Sequence, residues 1–277
     1  MIQGHALKPS ETVEREYRKE LRILVLAMHK ATVRALEQSV GLSDESIALD
    51  AENPSFAKFQ AKTKDLEEKF NKILERMGRI AAQRFLEESI KYASRSFIRS
   101  VKPLIEGKNA SLMINAPTIT EANRAFIEQK VAENVGLIKT IGKRYFARIE
   151  AEQIKVMSGG GDMGSMKRFL MELNGKNERQ AKLIARDQAS KIYSQLSVEN
   201  MKRAGITKVK WVHSSAGKVP REYHKTRWDG HSDPPNGLNG YIFDVNSPPV
   251  ADKKTGERAI PGQLINCRCF SIPVIDV

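Results

Sequence analysis

The chain has 277 residues, enough for one large domain or two ordinary ones, and its hydrophobic fraction of 40% excludes global disorder. Its 46 basic and 33 acidic residues give a net charge of +13. This favours an acidic partner such as nucleic acid, with a lysine-rich solvated surface as the alternative. Two cysteines do not make a disulfide scaffold and indicate a reducing compartment. Neither a secretory signal nor a membrane-spanning run is apparent.

The first half of the chain is predicted to be helical. Apolar residues recur at alternating spacings of four and three, which is the pattern of helices that pack at small crossing angles. The pattern occurs first at Tyr17, Leu21, Leu24, Met28 and Ala31, and again at Phe59, Thr63, Leu66, Phe70, Ile73, Met77 and Ile80. Ser10 is the expected N-cap of the first helix, and Asn53-Pro54 is the expected start of the second. Pro103 and Gly107 are expected to end the second helix near Ser100.

The middle of the chain is predicted to hold shorter helices separated by breaks. After a loop over 107–117, Thr118 to Glu121 form a capping box for a helix that reaches about Lys130. A second helix is predicted over Leu137–Met157, with an inner face of Ile138, Ile141, Tyr145, Ile149 and Ile154. Ser158 to Gly161 are interpreted as a flexible linker. A short helix over Met166–Leu173 should end at Asn174-Gly175, and a long one should run from Asn177 to Arg203, with Gly205 as its stop.

Beyond Gly205 the pattern changes to short strands, predicted over Val209–Val212, Tyr241–Val245 and Cys267–Val274. Helices first and strands later indicate an α+β protein: a long helical N-terminal half, then a small module with short antiparallel strands. We expect three consecutive regions. These are a helical assembly region over 1–106, a helical lead-in with a glycine-rich linker over 107–161, and a C-terminal module over 162–277.

The two cysteines, Cys267 and Cys269, are separated only by Arg268. On a strand both sulfurs would lie on one face and the arginine on the other, which is a poor arrangement for a mutual disulfide. Zinc prefers four thiolate or imidazole ligands. One hypothesis is therefore a zinc site formed by both cysteines, His224, and either His213 or His231. The alternative is that the cysteines are buried core residues and the histidines are hydrogen-bonded or exposed.

A catalytic cysteine is a further hypothesis, in which a histidine activates the thiol and Asp229 or Asp233 orients the imidazole. No spacing in the chain requires this arrangement. The same region is rich in cations interleaved with Tyr223 and Trp228, a pattern suited to binding nucleic acid without reading its sequence. The predicted DNA-binding residues are Lys208, Lys210, Lys218, Arg221, Lys225 and Arg227, and the alternative is a solvated basic face.

A family resemblance extends over roughly 186–274. In order, the chain has Arg186, Gly205, Trp211, Arg221, His224, Asp229-Gly230, Pro261-Gly262 and Asn266-Cys267-Arg268-Cys269. This order and spacing resembles the C-terminal module of the minor head (head morphogenesis) proteins of tailed phages, of the phage Mu protein F and SPP1 minor head type. Glu133 to Ile141 resemble the helical lead-in of that family, so the resemblance covers roughly half the chain. Leu264 stands where many members have a histidine, which weakens a zinc site carried over from the family.

The resemblance implies a non-enzymatic minor capsid protein that acts in head assembly and in DNA packaging or delivery. Its expected partners are the portal protein, double-stranded DNA and a major capsid or scaffolding protein, with no membrane. Its expected place is the capsid interior at the portal vertex, after assembly in the host cytoplasm. The residues expected to stabilise the module are Trp211, Arg186, Gly230 and Arg268.

No resident cofactor is expected under this hypothesis, with zinc left open. Two alternatives remain. One is a metal-dependent nuclease or transferase built on the C-terminal His/Cys module. The other is a DNA-binding protein unconnected with capsids.

Overall fold

The computed structural model describes residues 1–40, 54–105, 121–159, 162–216 and 219–275. Long helices dominate it and a small antiparallel sheet follows them, so the predicted α+β class is confirmed. In chain order the elements are β1 (Ile2–Gln3), α1 (Glu11–Val40), α2 (Pro54–Ile105), α3 (Glu121–Gly159), α4 (Met163–Arg203), β2 (Lys208–Val212), α5 (Glu222–Lys225), β3 (Ile242–Asp244), β4 (Val250–Asp252), β5 (Glu257–Arg258) and β6 (Phe270–Ile275). Within the described ranges, no helix has both the length and the apolar character needed to cross a membrane.

The predicted helix starts are largely correct. The Ser10 hydroxyl accepts a hydrogen bond from the backbone N–H of Val13 at 3.3 Å, which is the expected N-cap. Pro54 is the first residue of α2, as predicted, while Asn53 and the predicted loop over 107–117 lie outside the described residues. Of the predicted capping box, Thr118 also lies outside them, and Glu121 is the first residue of α3. Pro103 does not end α2 at Ser100 but lies inside its last turn.

Two predicted helix breaks are wrong, because α3 and α4 are continuous through them. In α3 the Asn134 amide donates to the carbonyl of Lys130 at 2.8 Å, and its Oδ1 accepts the Tyr17 hydroxyl at 2.9 Å. In α4 the Asn174 amide donates to the Glu178 carboxylate at 3.1 Å. Asparagine favours helix ends because its side chain competes for backbone groups. Here the side chains find partners within the helix or on another one, so the helices do not end.

The buried face of α2 departs from the predicted one in the middle of the helix. Leu74 and Gly78 are buried, whereas the predicted Met77 and Ile80 are 39% and 41% exposed. A straight helix has 3.6 residues per turn, so a stripe predicted with a spacing of 3.5 drifts around it over several turns. The inner face of α3 follows the prediction through Ile149, but Ile154 is 56% exposed and was wrongly included.

The chain forms two compact units, each assembled from segments that are distant in sequence. The first unit comprises Met1–Glu14, Phe85–Arg124 and Arg186–Val277, and the second comprises Arg15–Arg84 and Ala125–Ala185. The second unit is helical and has a core that includes Tyr17, Met28, Phe70, Tyr145 and Leu170. The first unit contains the sheet and the end of α4, and it holds the residues that carry the chemistry discussed below.

The sheet of the first unit has the strand order β1-β6-β2-β3, and every pair is antiparallel. Val209 and Trp211 on β2 are both fully buried, as the alternation of a half-buried strand requires. Lys208 and Lys210 lie on its opposite face. Strand β6 begins only at Phe270, so the prediction that both cysteines lie on this strand is wrong.

A candidate metal centre in the first unit

Three buried side chains converge next to the sheet. Nδ1 of His224 lies 3.6 Å from Sγ of Cys267 and 3.7 Å from Sγ of Cys269. The three ligand atoms all lie within 4.8 Å of one another, and the residues are only 2%, 4% and 5% exposed. The structure therefore brings together the three predicted metal ligands in a group that can hold a metal ion.

The sulfurs converge because the backbone that carries them is irregular. The backbone N–H of Cys267 donates to the carbonyl of Leu264 at 2.9 Å, which closes a turn, and Asn266 has a φ of 56°. Asparagine tolerates this left-handed conformation better than most residues. Arg268 donates a hydrogen bond to the carbonyl of Ala216. On a flat strand the two sulfurs would diverge, so the turn is what makes a shared site feasible.

Helix α4 fixes this turn from one side. The Ser190 hydroxyl donates to the Cys267 carbonyl at 2.9 Å, and the Asp187 carboxylate accepts the Asn266 backbone N–H at 2.6 Å. Arg186 adds a longer contact from Nη2 to Oδ1 of Asn266 at 3.4 Å. Asp187 and Ser190 were not predicted as residues of the site. The available signal was the helical spacing of Ser190, Ser194 and Ser197, which places three small polar residues on one buried face.

His224 is oriented by its second ring nitrogen. Its Nε2 lies 2.8 Å from the carbonyl oxygen of Ala251, which can only accept, so Nε2 carries the proton. In the neutral imidazole Nδ1 is then the nitrogen with a free lone pair, and it faces both sulfurs. Metal-binding histidines usually donate their other N–H in this way, which fixes the tautomer and the ring plane. The Trp211 ring packs edge-on against the imidazole at 4.9 Å between centroids.

The pKa values of the two thiols are shifted in opposite directions. The pKa of Cys267 is lowered, chiefly by its hydrogen bond with Cys269 and also by that with His224, although burial opposes both. The pKa of Cys269 is raised by the hydrogen bond to Cys267 and by burial. The pair therefore loses its first proton readily and holds its second one. A metal ion in this place would substitute for the second proton.

Two further N–H groups face the Cys269 sulfur. Nε1 of Trp211 is buried and has no hydrogen-bond partner among the described residues, yet it is near enough to lower the pKa of Cys269. The backbone N–H of Ser214 acts on the same thiol. A neutral thiol is a weak acceptor, whereas a thiolate accepts such donors well. The surroundings of Cys269 thus suit a deprotonated, metal-bound sulfur.

The other histidines and acids of the region lie outside the three-residue group. His213 is half-buried, and its pKa is lowered by burial and then by repulsion from the nearby His224. His231 has an 83% exposed side chain and lies 3.7 Å from the Asp229 carboxylate. Asp229 accepts backbone hydrogen bonds from His231 and Ser232, so it shapes its own turn and does not orient an imidazole of the group. Gly230 supports this turn with a φ of 94°.

The predicted DNA-binding residues are spread over the sheet and the region around α5, and several already have partners. Lys210 donates to the Gln3 side chain at 3.4 Å, Arg221 donates to the carbonyl of Ile265 at 3.1 Å, and Lys225 lies 3.9 Å from Glu222. Lys208 and Arg227 are exposed, and Lys218 lies outside the described residues. Their role in binding DNA stays a prediction.

Comparison with known proteins gives a relative but no function. No protein-family model matches the chain. No solved structure matches it either. A Haemophilus influenzae protein, described as uncharacterized, is 27% identical over 279 residues. The match covers 98% of this chain and 55% of the relative, so the chain spans about half of that protein's length.

Proposed function

We propose that the chain is a minor head protein of a tailed phage that binds the portal inside the head and contacts packaged DNA. It acts in head assembly and in DNA packaging or delivery, and it is not an enzyme. It assembles in the host cytoplasm and ends in the capsid interior at the portal vertex. A major capsid or scaffolding protein is a further partner. The helical part of the chain serves assembly, and the sheet-containing part is a compact folded module.

One observation carries this proposal: several of the residues behind the family resemblance, though distant in sequence, contact one another or the cysteine turn. Arg186 and Arg221 donate to Asn266 and to its neighbour Ile265, respectively, at the cysteine turn. Trp211 packs on His224, and His224 faces Cys267 and Cys269. Gly262, with a φ of 87°, lies against the carbonyl of Cys269. A chance match of scattered residues would have no reason to form one contact network, so the network supports a shared structural module.

Zinc is the metal that best suits the buried group. Two thiolates and one imidazole are typical zinc ligands. Bound there, zinc would join the cysteine turn to α5 and add its binding free energy to the stability of the fold. Three protein ligands leave one tetrahedral position, for His213 or for solvent.

The test of the head-assembly role is a mixture of the purified chain with the portal protein of the phage that encodes it, analysed by native mass spectrometry. A defined stoichiometric complex at micromolar concentration is expected. Serine variants at exposed apolar positions of the helical unit, Ile23 at 57% and Met171 at 71% exposure, should weaken the complex. The control is Ile265→Ser, at 65% exposure in the other unit, which should not. If the unaltered chain forms no complex with the portal protein, the head-assembly role is wrong. If only Ile265→Ser loses the complex, the sheet-containing part and not the helical part binds the portal.

The three-ligand count favours one alternative function, a metal-dependent nuclease or transferase. Catalytic zinc sites characteristically keep one position open for water or substrate, whereas structural sites close all four. Metal-dependent cleavage of DNA that His224→Ala abolishes, in a variant that keeps its fold, would establish this alternative and remove the non-enzymatic role. If His224→Ala only lowers stability, and the unaltered chain shows no activity, the enzyme hypothesis is wrong.

A further inference from the structure

The first unit contains a second, strongly basic site. A cavity of about 490 Å³ lies between the N-terminal segment and the last turns of α2. Its basic lining residues are His5, Lys8, Arg99 and Lys102. Tyr92, Ser96 and Ser100 add hydroxyl groups to the wall. The volume is in the range of pockets that hold small organic ligands and exceeds what an inorganic anion needs.

The positive charge of this cavity is not neutralised by its own wall. None of the described residues that line it is acidic. Neither Lys8 nor Arg99 forms an ion pair with a described residue, and the Lys8 ammonium instead lies 4.7 Å above the centre of the Phe270 ring. Cations gathered in a concave surface repel one another and attract an anion more strongly than the same charges spread apart.

The frame that holds these cations is rigid. The backbone N–H of His5 donates to the Ser100 carbonyl at 2.9 Å, and the Ser100 hydroxyl returns a bond to the His5 carbonyl at 2.5 Å. Gly4 donates to Pro273 of β6 at 2.9 Å. A Cβ on Gly4 would lie 2.5 Å from the Ser100 carbonyl oxygen, so only glycine permits this approach of the segment to α2. The cations thus project from a backbone that these hydrogen bonds hold in place.

The lining chemistry suits a phosphate attached to a nucleoside. Arginine offers a planar fork of donors that matches phosphate oxygens, and lysine adds a point charge. Tyr92 supplies an aromatic ring, the partner on which a base stacks in proteins that bind single strands. We propose that this cavity binds a phosphate-bearing nucleotide unit of a nucleic acid strand. The choice of a nucleic acid strand as the ligand rests on the proposed function. The chemistry of the cavity does not, because a free nucleotide presents the same phosphate and base.

The test compares two variants that each remove two positive charges. The cavity variant is Lys8→Gln with Arg99→Gln. The control variant is Lys91→Gln with Lys202→Gln, two cations of the same unit that do not line the cavity. Binding of a fluorescein-labelled mixed-sequence single strand of about 20 nucleotides, longer than the site of one typical single-strand-binding fold, is followed by anisotropy over a range of salt. Thermal unfolding verifies that both variants fold.

The cavity variant should bind the strand about tenfold more weakly, with a slope of log K against log salt smaller by about one to two, as expected for two lost phosphate contacts. The control should change affinity less than about twofold, because its charges act only at a distance. Equal loss in both variants, or no loss in either, overturns the proposal. Direct binding of AMP distinguishes the sources: an AMP affinity equal to that of the strand assigns a free nucleotide, and a much weaker one assigns the polymer. Portal binding by the same cavity variant shows separately whether the proposed function holds.

Discussion

The carbonyl oxygen of Ala251 lies 2.8 Å from Nε2 of His224, and this contact determines which nitrogen of the imidazole can bind a metal. Ala251 lies in β4 at an irregularity between Val250 and Asp252, both of which pair with β5, and Ala251 itself has no register partner there. Without such an acceptor the imidazole could place its proton on either nitrogen. With it, the lone pair of Nδ1 points to the two cysteine sulfurs, so the site is prepared for a metal by a backbone group that no side-chain motif encodes.

Replacement of His224 by alanine should abolish metal binding. The purified chain is expected to carry about one zinc ion, and the variant almost none, because two thiolates alone do not make a tight zinc site. Elemental analysis of the metal content measures this, and a chelator should lower the melting temperature of the unaltered chain but not that of the variant. The control is His231→Ala, whose exposed side chain lies outside the group. Equal metal content in both variants would contradict the site.

Replacement of Trp211 by phenylalanine should weaken metal binding through a different atom. The substitution removes the indole N–H near the Cys269 sulfur, and loss of such an outer hydrogen bond typically lowers metal affinity about 10-fold to 100-fold. Competition with a chromophoric chelator measures the affinity directly, apart from stability. Phe243→Leu is the matched control, because Phe243 packs on Trp211 at 6.3 Å between ring centres and donates no hydrogen bond. If the control loses as much metal affinity as Trp211→Phe, packing and not the donor is responsible.

The sequence could predict the helices because helical periodicity is local, and it could not predict where they continue. Asparagine is common at helix ends, yet Asn134 lies inside α3. Its side chain accepts a hydrogen bond from Tyr17, which is far away in sequence. That contact exists only in the folded chain, so no local pattern reveals it. The same holds for the two units, since α2 and α4 each contribute to both.

The candidate site was predictable in its ligands and not in its geometry. Cysteine and histidine are scarce in this chain, so Cys267, Cys269 and His224 stand out by type alone. The predicted strand began three residues too early, at Cys267 and not at Phe270, because β propensity does not reveal a turn held from outside. Asp187 and Ser190 hold that turn from another element. Their residue types are common on helix surfaces, so only the spacing of Ser190 with Ser194 and Ser197 gave a signal, and Asp187 gave none.

Replacement of Gly262 by alanine should cost more stability than the same change at Gly230. Both glycines have left-handed backbones, with φ of 87° and 94°, so each substitution should cost about 1–2 kcal/mol for the conformation alone. An added Cβ at Gly262 would also lie 3.2 Å from the Cys269 carbonyl oxygen, whereas the one at Gly230 meets nothing within 4 Å. Urea denaturation should therefore show a further loss of about 1 kcal/mol or more at Gly262, as overpacking typically costs. Zinc affinity should fall only in that variant, and equal losses at both positions would mean that the cysteine turn moves aside freely.

Replacement of Asp229 by alanine should destabilise the chain at neutral pH and not in strong acid. Hydrogen bonds from Ser232 and then His231 lower the pKa of this carboxyl from 3.8 to about 2. Because the folded pKa lies below the unfolded one, the stabilisation is complete above pH 3.8 and is lost as the pH falls through about 2. Melting temperatures of the metal-free chain and the variant should thus differ by a constant amount from neutral pH down to about 5 and converge below 4. Asp229→Asn is the control, since it keeps an acceptor oxygen without a titrating group and should show a smaller, pH-independent difference. A gap that persists undiminished at the acid limit would mean that packing of the turn, and not the charge of Asp229, provides the stability.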